Sequence, residues 1–417
     1  MAEAEREFDV VVWGATGFTG RLVAEYLLGH YGAAGELRWA MGGRSREKLE
    51  AVRKELGPRG EMLPLIVGDS DDEAFLAALA ERTRVVCSTV GPYAKFGSKL
   101  VATCARLGTD YCDLTGEVQW MRRMIDAHQE AAAAHGARIV HTCGFDSIPS
   151  DLGVFHLQRE MKAKHGVMAG RVRYRVVRFQ GGFSGGTAAS LLNVMAEAAA
   201  DPEVRRIVAD PYALNPPDRR AGPDGPDPST PVFDEAFGQW TAPFVMGTIN
   251  TKVVRRTNAL LDGAYGSDFR YDEAVLMGAG AGGWLKAASM TAGLGVTMLA
   301  GGIGPLRKGL AALLPSPGDG PTLEQREAGF FEIRLHGEHA GDPALQLRTR
   351  VTGDRDPGYG STAKMLGESA VCLAKDALPA GGGFWTPASA MGEPLLERLR
   401  KHAGLSFEVE PAEASAG

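Results

Sequence analysis

Apolar positions follow two different rhythms along this chain, and the change between them divides it. Residues 8–13, FDVVVW, are a continuous apolar run of β-branched and aromatic residues, the pattern of a strand buried on both faces. RLVAEYLL (21–28) then spaces its apolar residues at helical intervals. The same alternation continues through strand LRWAMGG (37–43), strand MLPLIVGD (62–69), helix DDEAFLAALAERT (71–83) and strand RVVCSTVGPY (84–93). ARIVHTCGFDSIPSDLG (137–153) supplies a further strand, a loop, and a helix start near Ser150–Asp151. Strands alternating with helices predict a parallel sheet covered on both sides.

Beyond residue 150 the rhythm becomes period two. GRVRYRVVRF (170–179), GFFEIRLHGE (329–338) and ALQLRTRVTG (344–353) alternate, and the last two are joined by the turn EHAGDP. Phe331, Ile333 and Leu335 share one face, Glu332, Arg334 and His336 the other, which predicts an antiparallel sheet with one apolar side. Between these runs lie a helix, TAASLLNVMAEAAA, and a Pro/Asp/Gly-rich surface loop from Asn215 to Pro231. Two helices, STAKMLGESAVCLAKDAL and PLLERLRKH, end the chain.

The first strand runs into Gly14-Ala-Thr-Gly17-Phe-Thr-Gly20. In a strand–turn–helix context such a turn binds a dinucleotide. Gly14 permits the tight turn, Gly17 lets backbone N–H groups approach a pyrophosphate, and Gly20 lets helix pack on strand. Thr16 and Thr19 add hydroxyl donors, and Phe18 lies between them. Arg44 and Ser45 follow the second strand, where an NAD site carries an acid for the ribose 2′-hydroxyl. An Arg there suits a 2′-phosphate, with Ser45 and Lys48 assisting. Charge-assisted bonds of roughly 1.5–3 kcal/mol each make a preference for NADP(H) of about ten- to a hundredfold. Asp69 is placed to reach the adenine, and Val90, Gly91 and Pro92, with Thr115, Gly116 and Glu117, end strands that reach toward the nicotinamide. The chain therefore reads as α/β: a Rossmann dinucleotide-binding domain (1–150), a second α+β domain with a mixed, largely antiparallel sheet (151–355) for substrate and dimerisation, and C-terminal helices (356–417) returning to the Rossmann domain.

Charge and cysteine usage narrow the function. The net charge of −6, without a basic cluster, argues against a nucleic-acid partner. Five cysteines without a CxxC pair or metal-ligand spacing predict buried thiols in a reducing cytosol and no metal site. Residues 1–7, MAEAERE, are too charged for a secretory apolar region. Residues 287–306 hold no charge and have the length of a membrane span. Five glycines there weaken a helix by roughly 1 kcal/mol each, and one crossing would split a single sheet across the membrane. The segment is expected to be a buried helix pair or a cover over a substrate pocket, with peripheral lipid contact as the alternative. The polar sheet face suggests a homodimer.

Longer blocks add a resemblance. GATGFTG, VGPYAKFGSKLVATCARLGTDYCDLTGE and TCGFDSIPSDLG, in that order and spacing, resemble the saccharopine dehydrogenase-like oxidoreductases, nearest the bacterial trans-acting enoyl reductases of lipid and polyketide assembly. GDRDPGYGSTAKMLGESAVCLA and GGFWTPASAMGEPLLERL are similar to that branch's C-terminal blocks. The resemblance implies a Rossmann domain followed by a mixed α/β domain, NADP(H) as cofactor, and a small-molecule or acyl-chain substrate, without fixing which one.

Hydride transfer requires from the protein a proton donor and stabilisation of developing charge. Tyr93, with Lys95 two residues on, either donates a proton or packs on the cofactor. Asp113, Thr115 and Glu117 act in catalysis or hold a loop. Asp146 and Ser147 lie in the segment joining the two domains, where a residue faces the cleft or caps the following helix. GGFSGGT (181–187) is a ligand-approach turn or a simple strand-to-helix turn, and Asp356-Pro-Gly-Tyr-Gly lines the pocket or starts the last long helix. His141, inside a strand, reads as a core histidine. Three functions stay open: an NADPH-dependent reductase of a carbon–carbon double bond, a saccharopine-type amino-acid dehydrogenase using Arg171, Arg173 and Arg175, and a non-catalytic, lipid-associated NADP-binding scaffold.

Overall fold

The computed structural model describes residues 6–182, 185–313 and 320–411. Its first half alternates strand and helix as β1 (Phe8–Trp13), α1 (Phe18–Tyr31), β2 (Trp39–Gly43), α2 (Arg46–Glu55), β3 (Leu65–Val67), α3 (Glu73–Arg82) and β4 (Thr83–Ser88). It continues through α4 (Tyr93–Phe96), α5 (Ser98–Leu107), β5 (Asp110–Asp113), α6 (Val118–His135), β6 (Arg138–Val140) and α7 (Ile148–His165). The second half begins with β7 (Arg171–Gln180), α8 (Gly185–Ala200), α9 (Pro202–Ala209), β8 (Val232–Asp234), β9 (Gln239–Pro243), α10 (Gly247–Leu260) and β10 (Arg270–Gly278). After α11 (Gly280–Gly302), α12 (Gly304–Leu313) and α13 (Leu323–Glu327) come β11 (Phe330–Glu338), β12 (Gln346–Gly353), α14 (Thr362–Lys375), β13 (Gly383–Trp385), α15 (Pro387–His402) and β14 (Leu405–Val409).

Two seven-stranded sheets result. The first, in the order β13-β6-β5-β4-β1-β2-β3, is parallel throughout. Its two faces divide by period two: Val10, Val12, Cys87, Cys112 and Val140 enter one apolar core, Val11, Trp13, Val86, Tyr111 and Ile139 the other. That double burial is why its strands are near-continuous apolar runs. The second sheet, β14-β12-β11-β7-β10-β9-β8, is mixed: β7 and β10 pair in parallel and the other neighbours are antiparallel. Its apolar face joins Val172, Tyr174, Ile333, Leu335 and Val351 to Leu152, Leu157 and Met161 of α7.

The C-terminal tail does more than return helices to the first sheet. α14 packs on β1, β4 and β5 beside α1, while β13 adds an edge strand to the first sheet and β14 one to the second. α7 starts at Ile148 rather than near Ser150–Asp151, because Pro149 is accommodated in the first turn of a helix, where its missing N–H costs nothing. The Asn215–Pro231 stretch carries a short turn at Pro217–Arg219 and inserts Asp224 against Arg255 at 2.7 Å, so part of it is held by a buried ion pair. The 287–306 segment departs most from expectation. α11 and α12 meet at 119° and most of their residues are exposed, so the segment is not a buried pair. Among the described residues, no single helix is long and apolar enough to cross a membrane.

Asp356 explains how the two halves meet near α14. Its fully buried carboxylate accepts from the backbone N–H groups of Gly182 (3.2 Å), Gly358 (3.3 Å), Tyr359 (2.8 Å) and Gly360 (3.1 Å). It therefore turns inward as a cap and does not line a pocket, while Tyr359 is carried edge-on to Phe18 with ring centroids 5.2 Å apart. Gly181 has no room for a side chain, since a Cβ would lie 2.8 Å from Pro357 Cδ; its close approach is to protein. Phe183 and Ser184 of the same turn lie outside the described residues. Asp356→Ala strands the buried Tyr359 N–H and three partly buried donors, and at about 1.5–3 kcal/mol for bonds to a charged group it should lower stability by at least about 2 kcal/mol. Urea unfolding monitored by circular dichroism measures this, and an unchanged midpoint would remove the carboxylate from the account.

Candidate active site

The glycine turn is as tight as its spacing predicts. Gly14 has a φ of +95°, and a Cβ there would lie 2.7 Å from both Thr89 Oγ1 and Val90 Cγ2. A Cβ on Gly20 would drive into the Gly14 carbonyl and lie 2.7 Å from Thr89 Oγ1, so α1 rests directly on the turn. Gly17 differs. A Cβ there would touch only the Gly14 carbonyl oxygen, at 3.4 Å, and the residue caps α1 with no side-chain bond to the helix. The first-turn N–H groups of α1 thus face an open, side-chain-free position, which fits a pyrophosphate held by backbone and helix dipole. Residues Thr16, Phe18 and Thr19 are partly exposed around it. At the end of β2, Arg44 and Lys48 are exposed and have no side-chain partner among the described residues, while the Ser45 hydroxyl caps α2 by accepting from Lys48 N–H at 3.3 Å. Asp69 is exposed and accepts from Asp71 N–H at 2.9 Å.

Several expected site groups face the protein instead. The Tyr93 hydroxyl is buried and donates to the Ser88 carbonyl at 3.0 Å; burial pushes it well above the usual tyrosine range. It packs 5.4 Å from Trp120 and is not at the cleft. Neighbouring Lys95 is exposed, with no partner among the described residues. Glu117 is fully buried and accepts from Tyr93 N–H (2.8 Å), Ala94 N–H (2.9 Å) and Ser190 Oγ (3.0 Å). Burial raises its pKa, and these three bonds oppose the rise. Glu117 thus clamps the Val90-Gly91-Pro92 loop and α8 rather than a ligand. Thr115 accepts from Glu117 N–H at 3.1 Å and donates its own N–H to Asp113 at 3.1 Å. Asp113 also bonds His141 Nδ1 at 2.8 Å, and His141 is enclosed by Tyr111, Trp120 and Phe384, a core histidine as read from sequence. Ser147 is buried too: its hydroxyl donates to Asn250 Oδ1 (3.2 Å), whose amide donates to Glu273 (2.9 Å), so it belongs to a network running under α7 into the second sheet.

Asp146 stands apart. The loop carrying it is fixed on both sides, by Phe145 N–H to Thr362 Oγ1 (3.0 Å) from α14 and by Ser147 to Asn250 from α10. Its carboxyl has no hydrogen-bond or ionic partner among the described residues and lies over Gly116, 3.8 Å from where a Cβ would be. The residue is only partly exposed, and burial pushes its pKa up to about 7. Asp151 and Glu273 also sit near 7 through burial, but both carry partners: Thr257 and Ala388 for Asp151, Tyr271 and Asn250 for Glu273. A partnerless carboxyl at the carboxyl end of the parallel sheet that also carries the glycine turn is the group best suited to exchange a proton with a ligand. Gly116, Gly91 and Pro92 flank this region, and Ser190 reaches it from α8, its hydroxyl 3.4 Å from a Cβ built on Gly91. Ser190, Thr362 and Asn250 had no sequence signal, because a hydroxyl or amide inside a helix looks the same whether it faces solvent or a loop.

The arginines Arg171, Arg173 and Arg175 lie on the face of the second sheet opposite α7. They line a cavity of about 500 Å³ that shares no residue with the glycine turn or the Asp146 loop. Arg175 is paired with Asp234 (2.5 Å) and Asp272 (2.6 Å), and Arg173 with Glu338 (3.1 Å). They are not gathered around the site as a polycarboxylate substrate would require.

No family model matches the chain. It is 42% identical over 431 residues to a Mycobacterium tuberculosis protein named, provisionally, a trans-acting enoyl reductase, covering 98% of this chain and 99% of that protein. It is 41% identical over 426 residues to the trans-acting enoyl reductase of Mycobacterium ulcerans, covering 96% and 97%. Among solved structures, the apo saccharopine dehydrogenase (L-Glu forming) of Saccharomyces cerevisiae aligns with a TM-score of 0.49 at 13% identity, covering 96% of this chain and 99% of that one.

The uncompensated carboxyl has a consequence for stability. Its pKa is raised from 3.8 in the unfolded chain to about 7 in the fold, so the native state binds the extra proton between those values. Its contribution therefore declines as pH rises through that window. Asp146→Asn should raise the thermal midpoint over the parent at pH 8 by several degrees and leave it near parity at pH 4. Equal midpoints at both pH values would show that the carboxyl is ordinarily solvated.

Proposed function

The chain belongs to the trans-acting enoyl reductase family of oxidoreductases, and from that premise we propose that it reduces the carbon–carbon double bond of an enoyl thioester in lipid or polyketide assembly, using NADP(H). The observation that carries the reading is the partnerless Asp146 carboxyl over Gly116, poised near 7. NADPH, when bound, supplies hydride to the β-carbon of the enoyl group. Asp146 then delivers its proton to the α-carbon as charge returns from the thioester oxygen, so the double bond becomes single. Its partly exposed edge allows the carboxylate to regain a proton from water. The backbone around Gly17 holds the pyrophosphate, and Gly116, where a Cβ would meet only the Asp146 carboxyl, leaves room for a flat group at the strand ends. Preference for NADP(H) over NAD(H) is supported by the exposed Arg44 and Lys48 after β2, which are unpaired among the described residues and together outnumber the single first-turn acid, Glu47.

The test is NADPH oxidation at 340 nm with enoyl thioesters of several chain lengths against their saturated counterparts. Consumption should depend on the double bond and be at least about tenfold faster with NADPH than NADH, with Arg44→Ala erasing most of that difference. Asp146→Asn should cut kcat by about 10²–10⁴. The parent rate should fall above pH 7 as Asp146 ionises. Tight NADPH binding without turnover of any enoyl chain would instead identify a scaffold.

A further inference from the structure

We infer that the α11–α12 pair is a monotopic membrane contact that lies on the surface of an anionic phospholipid leaflet. This goes beyond the reaction proposed above and does not depend on it. Among the described residues, seven of the fifteen exposed large apolar side chains belong to this pair, and an eighth, Ile303, is the residue that joins its helices. Leu285, Val296 and Leu299 are 61%, 66% and 73% exposed, and Trp284, Ile303 and Leu306 about half so. Scattered apolar residues on a surface need no explanation, but this contiguous concentration does.

Geometry excludes a span. The two helices meet at 119°, and neither alone is long and apolar enough to cross. The chain enters α11 from β10 and leaves toward β11, both strands of the second sheet, so the two ends of the pair stay on one side. A bent apolar pair with both ends on one side either dips in as a re-entrant loop or lies in the interface; α12, ten residues with Arg307 and Lys308 among them, is too short and too charged to dip, which leaves the interface, with the apolar side chains at the acyl boundary. The glycines agree. Gly293, Gly295, Gly302 and Gly304 would meet no atom within 4 Å if given a Cβ, whereas Gly301 is needed because Met195 of α8 packs against it. The inner side of the pair is fitted to β9, β10 and α8; its outer side is bare.

Charge selects the occupant. Residues 274–318 contain no Asp or Glu, while Lys286, Arg307 and Lys308 are present. A leaflet with negative headgroups answers these cations, each worth about 1 kcal/mol near an anionic surface. In a two-fold contact with a second copy, apolar side chains would be covered but the cations would meet their own copies with no acid in the segment to pair them. Trp284, half exposed beside Lys286, has the amphipathic ring that settles at headgroup depth. α8 connects this face to the site. It supports the pair through Met195 and reaches the Glu117 clamp through Ser190.

The full chain should sediment with phosphatidylcholine vesicles containing phosphatidylglycerol and much less with phosphatidylcholine alone. Val296→Asp/Leu299→Asp should lower the bound fraction at least tenfold with an unchanged circular dichroism melting curve. Lys286→Gln/Arg307→Gln/Lys308→Gln should remove the phosphatidylglycerol dependence, roughly fivefold per charge. If the aspartate pair disturbs the fold, Val296→Ser/Leu299→Ser tests the same face. Equal binding to both vesicles, or none to either, overturns the proposal. So does a lipid-free dimer on gel filtration that the aspartate pair dissociates, which would assign the face to a second copy.

Discussion

Everything proposed for this site depends on one carboxyl group that the fold shields from water without giving it a partner. Ionised Asp146 loses hydration it would have in an open loop, and no Arg, Lys or backbone N–H among the described residues repays the loss; its pKa rises to about 7 for that reason. The cost is tolerated because the loop is over-determined. Thr362 of α14 holds Phe145, Asn250 of α10 holds Ser147, and Gly116 supplies a surface with no side chain to shield or bind the carboxyl. Strain of this kind persists only where neighbouring elements fix the geometry, and it concentrates at functional sites.

The polar groups around Asp146 are spent on that fixation. Glu117 holds the Gly91 loop and α8, Asp356 gathers four N–H groups from two segments, and Ser147 leads into the Asn250–Glu273–Tyr271 network. Each is buried and satisfied, so each stabilises a loop rather than reacting. The glycine turn works in the opposite sense. Gly14 and Gly20 are pressed into Thr89 and one another, and that packing leaves Gly17 with an open side.

How much was legible follows from what each pattern encodes. Both-face burial made β1, β2 and β4 readable, and alternation made β7, β11 and β12 readable, because those periods come directly from strand geometry. β13 has three residues behind a run of glycines, and β14 is a short alternating segment in a helical tail; both exist through pairing with distant strands. β10 is obscured by Asp272 and by Glu273, a buried carboxylate whose partners come from elsewhere in the fold. The 287–306 segment looked buried because it lacks charge, yet hydrophobicity alone does not say whether a partner exists; the structure leaves it bare. At the site the glycine turn was legible, since backbone approach requires glycine at fixed spacing. Tyr93, Ser147, Thr115 and Glu117 have the right chemistry but the wrong direction. Whether a hydroxyl or carboxylate faces a cleft or caps a loop is decided by tertiary contacts that sequence spacing does not contain.

The central claim is that Asp146 remains protonated up to neutrality within an intact fold. Carbon-13 NMR of the full chain labelled at the aspartate carboxyl, with Asp146→Asn to assign the resonance, measures this directly. A carboxyl signal, absent from the variant, should titrate near pH 7. A signal titrating near pH 4, like an ordinary surface aspartate, would contradict it.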